Sequence, residues 1–236
     1  MGWDEKAVVE ISEILKILIK EPLAEAGQLL TDQIKYWRWQ NKIKILQKAN
    51  KFLESRDIDP KSLPEPFPYE IVIPLLEASG EATDDTISTM FSNLLADSLD
   101  PVTSRLIHPS YGKVLNQLAP IDVRILVGLF SETSVFIEQI KQGNIPKKYN
   151  KELQAHRQVR YYEQSLIDVW KLSPEVVRIS LENIKRLGIC DEGHWAARID
   201  RKPFLCLTDY GFSFIGKCMQ HDVTNHEEKI LKMLRE

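Results

Sequence analysis

Leu172-Ser-Pro-Glu-Val-Val-Arg-Ile-Ser-Leu-Glu-Asn-Ile-Lys-Arg-Leu-Gly188, continued by Ile189-Cys-Asp-Glu-Gly193 and later by Phe204-Leu-Cys-Leu-Thr-Asp-Tyr-Gly211, is the stretch whose reading decides the fold. Ser173 is a helix cap, and Pro174 stands at the first helical position, where its missing N–H costs nothing. Val176, Val177, Leu181, Ile184 and Leu187 recur at helical spacing and are expected to face a core, and Gly188 supplies the stop. Asp191-Glu192-Gly193 reads as a turn, followed by a β-prone run ending in Phe204 to Leu207. Thr208 then caps a last helix from Tyr210 to Met219. Helix, two-stranded wing and helix is the order of a winged helix-turn-helix domain.

Composition bounds what such a chain can be. Its 236 residues can bury one large core or two modest ones, and 43% hydrophobic with 28% charged residues is ordinary for a globular protein. A net charge of −3 gives no global attraction to nucleic acid or to an anionic membrane, so any such binding needs a local patch. Three cysteines, Cys190, Cys206 and Cys218, are too few for a disulfide scaffold. With no signal peptide at Met1-Gly-Trp-Asp4, the expected location is a reducing cytoplasm. No apolar run approaches the roughly 20 residues of a membrane-spanning helix.

Outward from the deciding stretch, Pro120 starts the first helix of the winged domain, with Val123, Ile125, Leu126 and Leu129 as its apolar set. Between it and Ser173 lies a polar insertion in which Lys141, Lys147, Lys148, Lys151, Arg157 and Arg160 outnumber Glu152, with tyrosines interspersed. Lys147, Lys148, Lys151, Arg157 and Arg160 are the candidates for an electrostatic or nucleic-acid contact, although a solvated face is the commoner meaning of such a run.

The N-terminal part reads as helical. Asp4 to Lys20 is amphipathic, with Val8, Ile11, Ile14, Leu15, Leu18 and Ile19 on one face. Its polar face balances three acids against three lysines, which favours a packed helix over a membrane-surface one. From Ile34 to Arg56 seven cations stand against Glu54 alone, with Tyr36, Trp37 and Trp39 interleaved. Those cations fall on opposite sides of the helical wheel. Tyr36, Trp39, Ile43, Leu46, Asn50 and Leu53 instead follow a coiled-coil-like spacing, so packing is the better expectation. Trp37 and Trp39 are the candidates for contact with a protein partner or a second copy of the chain. Asp59 to Pro68 is a proline-rich linker.

Two further helices follow the linker. Tyr69 to Ser79 contains Pro74. The next opens at Thr83-Asp-Asp85 and buries Ile87, Met90, Phe91, Leu94, Leu95 and Leu99. Caps and solvated faces account for Glu77, Glu81, Asp84, Asp85, Asp97 and Asp100, and no His accompanies them at ligand spacing. A short helix begins at His108-Pro-Ser-Tyr111, and Thr224 with Glu227 makes a capping box for a C-terminal helix.

The candidate DNA-reading helix, Pro174 to Leu187, is expected to expose Glu175, Arg178, Glu182, Asn183, Lys185 and Arg186. That set is close to neutral and argues for protein interaction over groove reading. Cys190 and His194 lack the close cysteine pair of a zinc site, and Cys206 and Cys218 read as small core residues. No glycine-rich phosphate loop or nucleophile elbow is present. The chain is therefore expected not to be an enzyme, with no catalytic residues, no metal, no cofactor and no small-molecule substrate.

Several weak motifs taken in order carry a resemblance. They are Trp39 to Asn50, Pro66 to Glu77, Ser88 to Ala96, His108-Pro-Ser-Tyr111, Leu118-Ala-Pro-Ile-Asp122 and Leu207-Thr-Asp-Tyr-Gly211. Over about Leu29 to Met219 the chain resembles the abortive infection alpha (Abi-alpha) family of bacterial and phage-associated proteins. The resemblance implies a mostly helical protein tied to phage resistance, in which infected cells stop growing or die, and it brings no catalytic residues. Ala119 stands where a serine cap is expected.

The sequence thus predicts a mainly α protein: an N-terminal helical region followed by a winged helix-turn-helix domain with a small β-wing. The expected divisions are 1–58, 59–119, 120–220 with a basic insertion at 132–165, and a C-terminal helix at 221–236. The expected role is defence through protein–protein interaction, with homo-oligomer formation through the aromatic or the terminal helix. A winged-helix DNA-binding regulator is the first alternative. A membrane-surface effector acting through Asp4 to Lys20 is the second.

Overall fold

The structure, a computed structural model, describes residues 33–58, 64, 66–142, 163–193 and 204–219. Within them the protein is mainly helical, with eight α-helices, one 3-10 turn and one two-stranded sheet. The chain divides into two units, Met1–Gln117 and Leu118–Glu236. The amphipathic segment Asp4 to Lys20, the basic run from 143 to 162 and the capping box at Thr224 lie outside the described residues.

In the first unit α1 (Gln33–Glu54), α2 (Tyr69–Ser79) and α4 (Tyr111–Leu115) gather on α3 (Asp85–Leu99). Asp84 starts α3 as its sequence promised: its Oδ1 accepts from the Thr86 and Ile87 N–H groups at 2.9 and 3.0 Å. From Met90 to Asp100 every residue of α3 and its cap is buried. A helix buried all round should be apolar throughout, yet this one carries Ser92, Asn93, Asp97 and Ser98. The hydroxyls cost little, because Ser92 donates to the Ser88 carbonyl at 2.9 Å and Ser98 to the Leu95 carbonyl at 2.7 Å. The seam on α1 faces this helix, with Ile43, Leu46 and Leu53 buried, joined by Ile45 and Ala49.

The second unit runs α5 (Pro120–Lys141), α6 (Glu163–Trp170), α7 (Pro174–Arg186), β1 (Cys190–Gly193), β2 (Phe204–Leu207) and α8 (Asp209–Met219). The expected apolar set of α5 is buried, and Phe130 meets Phe212 of α8 with ring centroids 5.2 Å apart. Lys171, in the three-residue turn from α6 to α7, adopts φ 54°, an uncommon conformation for a side chain with a Cβ. Ser173 caps α7 by accepting from Val176 N–H at 3.3 Å. Gly188, at φ 70°, ends the helix in a Schellman motif: its N–H donates to the Lys185 carbonyl, and that of Ile189 to the Ile184 carbonyl.

Three local expectations are corrected. The core face of α7 is Val177, Ser180 and Ile184, while Val176 is exposed and Leu181 and Leu187 are half-buried. Helical spacing puts Val176 a quarter-turn off the line joining Val177 and Ile184, which hydrophobicity alone did not reveal. Asp191-Glu192-Gly193 is not a turn but part of β1, antiparallel to β2 with Cys190 opposite Leu207 and Gly193 opposite Phe204. Asp97 and Asp100 are not solvated: both are buried, for a reason given below.

Thr208 joins the sheet to the last helix. Its hydroxyl accepts from Gly211 N–H at 2.9 Å and lies 2.8 Å from the Gly188 carbonyl, to which it donates. That ties the start of α8 to the end of α7. Gly211 sits directly on the Ile189 backbone, where a Cβ would collide with the carbonyl. Gly211→Ala should therefore lower the stability of this unit by about 3 kcal/mol or more, read as a fall in Tm, whereas an alanine at Gly216, which has only ordinary contacts with Phe130, should cost far less.

Burial first, then the neighbouring Cys206 and Asp191, push the Cys190 thiol well above its ordinary value of 9.0. Above about that pH the unfolded chain releases a proton that the folded chain keeps, so stability must fall as pH rises through this window. The expected loss is at most about 1.4 kcal/mol per pH unit from this group. Denaturant titrations of wild type and Cys190→Ala on either side of that pH should show a shallower alkaline decline in the variant.

Candidate functional site

In the first unit the polar stretch of α3 is completed by Arg56, which follows the C-terminus of α1. Its Nη2 donates to Asp97 Oδ1 at 2.7 Å and its Nη1 to Asp100 Oδ2 at 3.0 Å. The Asp97 side chain has no exposed surface, that of Asp100 almost none, and the guanidinium retains partial access to solvent. One planar cation spanning two carboxylates suits the fork geometry of arginine, which lysine lacks. The chain that leaves α3 is held by the same acids. Val102 N–H donates to Asp100 Oδ1 at 2.8 Å, Ser104 N–H to the Asp100 carbonyl at 2.9 Å, and the Thr103 hydroxyl to the Asp97 carbonyl at 2.9 Å.

The loop so anchored leads through the 3-10 turn Ser104–Leu106 to His108, whose Nδ1 accepts from Ser110 N–H at 3.2 Å. Inside it, Ile107 and Tyr111 are buried. Outside it, Val102 is 81% exposed and Leu106 59%. The cluster is thus a foundation under an apolar surface loop.

Trp37 and Trp39 do not form one contact surface. Two residues apart on a helix they point about 200° away from each other. Trp39 is half-buried and stacks on Tyr36, with centroids 6.2 Å apart, whereas Trp37 lies opposite the buried face of α1 and is 39% exposed. Ile34 is also exposed on this N-terminal half, in which no residue from 33 to 42 is fully buried.

The cations of α1 and of the turn that follows it are partly spent within the unit. Arg38 pairs with Glu81 at 2.8 Å, Lys48 lies 3.9 Å from Asp85, and Arg56 faces inward. The exposed pairs add little stability, but they reduce the positive field the helix presents. Lys147, Lys148, Lys151, Arg157 and Arg160 lie outside the described residues.

On α7 the outward face carries Glu175, Arg178, Ile179, Glu182 and Arg186, with Ile179 65% exposed and Val176 beside it. Asn183, expected on that face, is instead half-buried and donates to Asp122 Oδ2 at 2.7 Å. The same carboxylate oxygen accepts from Ala119 N–H at 2.9 Å, supplying half of a capping box where residue 119 has no hydroxyl to give the other half. Asp122 therefore caps α5 and fastens α7 to it. Among the described residues no group of three or more His, Cys, Asp or Glu side chains converges as a metal site would require. No described helix is long and apolar enough to cross a membrane.

With this geometry in place, the class of protein is settled by comparison. The chain belongs to the abortive infection alpha family, whose profile matches residues 40–218 and so takes in the Arg56 cluster, its loop and every described residue of the second unit but Met219. Trp37 and Trp39 fall just before the matched span. No curated protein and no solved structure matches the chain.

Sequence reading passed over Val102, Leu106 and Ile179. Aliphatic residues outside a repeating pattern carry no periodic signal, and only packing decides which remain outside.

Removing the guanidinium should leave a fully buried carboxylate without its bridging cation. Arg56→Met is expected to destabilise the first unit by about 3 kcal/mol, and Arg56→Met with Asp97→Leu to recover part of that loss. Urea titrations of the single and double variants would check both, and a single variant as stable as wild type would show that the bridge is not structural.

Proposed function

We propose that this chain is a non-enzymatic defence protein of the abortive-infection type that acts in the cytoplasm by binding a protein partner. Family membership supports the defence role. The order α5, α6, short turn, α7, hairpin, α8 supports a winged helix-turn-helix reading of the second unit, with the hairpin as its wing. Fold of that kind is shared by DNA readers and protein-interaction modules, so the site must decide between them.

The observation that carries protein binding is the outward face of α7. A groove-reading helix brings cations and amides to base edges and phosphates. Here the amide of Asn183 is engaged by Asp122, and Arg186 donates to Asn183 Oδ1 at 2.8 Å. Glu175 and Glu182 would face phosphates, and Ile179 would spend its exposed apolar surface on a polar groove. Against a protein the same face offers an apolar anchor within a mixed-charge rim, the usual anatomy of an interface.

Bacteria expressing the chain should resist phage with early loss of infected cells, read as fewer plaques and early culture collapse at high phage input. Ile179→Glu should keep the wild-type Tm and lose protection, a change of about 2 kcal/mol in partner binding being enough to empty such a complex. A duplex-DNA titration at low salt should give no tight binding. Full protection by Ile179→Glu, or tight duplex binding that fades with salt, would sink this reading.

A further inference from the structure

The loop between α3 and α4 has features that stability does not require. Val102 and Leu106 are among the most exposed large hydrophobic side chains of the described residues, yet the backbone beneath them is fixed by Asp97, Asp100 and Thr103. Exposed apolar side chains on a braced loop lose little conformational freedom when covered, which is how a preorganised contact gains affinity.

Charge defines what could cover them. Although 34 of the 236 residues are acidic, none lies between 101 and 119, where Arg105 and Lys113 are both exposed. The acids that flank this span, Asp97, Asp100 and Asp122, are all buried, the first two against Arg56. The exposed charged side chains that this stretch itself contributes are therefore cationic, beside the apolar Val102 and Leu106. A lipid surface fits less well. Two cations are fewer than the four to eight of a typical anionic-lipid site, and the loop has no Trp, while Tyr111, which could sit at an interface, is buried.

We propose that the braced loop from Pro101 to Pro109 is a docking surface for an acidic protein segment that carries an apolar anchor. Val102 and Leu106 receive the anchor, and Arg105 pairs with carboxylates around it. This deepens the protein-binding reading above and rests on it, but it uses a different unit of the chain from Ile179.

The probe is a random dodecapeptide library displayed on phage and selected on the full-length protein, followed by anisotropy titrations of the enriched peptides. The expected result is enrichment of peptides that combine Asp or Glu with Leu, Ile or Phe. Their binding should weaken by about tenfold or more with Val102→Asp or Leu106→Asp, at unchanged Tm because both side chains already stand in solvent. Arg105→Glu should favour basic over acidic peptides. No enrichment, enrichment without an acidic bias, or binding that survives Val102→Asp and Leu106→Asp would overturn the proposal. So would binding to phosphatidylglycerol vesicles that these substitutions abolish, since the surface would then be a lipid one. Loss of phage protection by Ile179→Glu while no acidic peptide binds the loop would mean that this surface fails and the general reading stands.

Discussion

The first unit depends on one half-buried cation. α3 is surrounded by protein along its second half, and that half contains Asp97, a carboxylate with no access to water. A lone buried carboxylate is too costly to persist ionised. Arg56 resolves this by reaching from the end of α1 to both Asp97 and Asp100. The bridge does more than neutralise charge. It fixes the register of α1 against α3, since a shift of one residue along either helix would carry the guanidinium off its carboxylates. It also holds the acids whose remaining atoms brace the loop beyond α3.

A second polar junction does the equivalent work in the other unit. Asp122 Oδ2 accepts from the backbone of Ala119 and from the side chain of Asn183, so one carboxylate caps α5 and docks α7 on it. Thr208 performs the same double duty between α7 and α8. In each case a short polar side chain at a helix end satisfies its own helix and reaches a neighbour. Helix ends carry unpaired backbone groups, so they are the places where polar links can be buried without loss.

Beyond these junctions, this member of the abortive infection alpha family carries several apolar side chains on its outward faces. Trp37 on α1, Ile179 on α7 and Val102 with Leu106 after α3 are apolar side chains that no buried face claims. Each stands on a helix or a hydrogen-bonded loop. Display of apolar groups on such supports is what the proposed partner binding would use.

By itself the sequence determined most of the helices, several caps and the direction of most faces. It read the end of α5 up to Lys141 and the start of α6 at Glu163 as part of a polar insertion, and α6 not as a helix. As helix caps and stops, Asp84, Ser173, Pro174, Gly188 and Thr208 act through atoms within a few residues of themselves, so local order is enough to read that role. The apolar sets of α3 and α5 were legible for the same reason, as was the ordered series of weak motifs that marks the family. Only tertiary structure decided the fate of Arg56, Asp97, Asp100 and Asn183. Read along the chain they resembled solvent-facing charge and a groove-reading amide, because their partners lie 41, 44 and 61 residues away. It also decided which aliphatic residues stay outside: Val176 and Val177 are neighbours of the same type, and only the packing of α7 separates them. Periodicity reports which residues share a face, but not how wide a strip of that face a neighbour will cover.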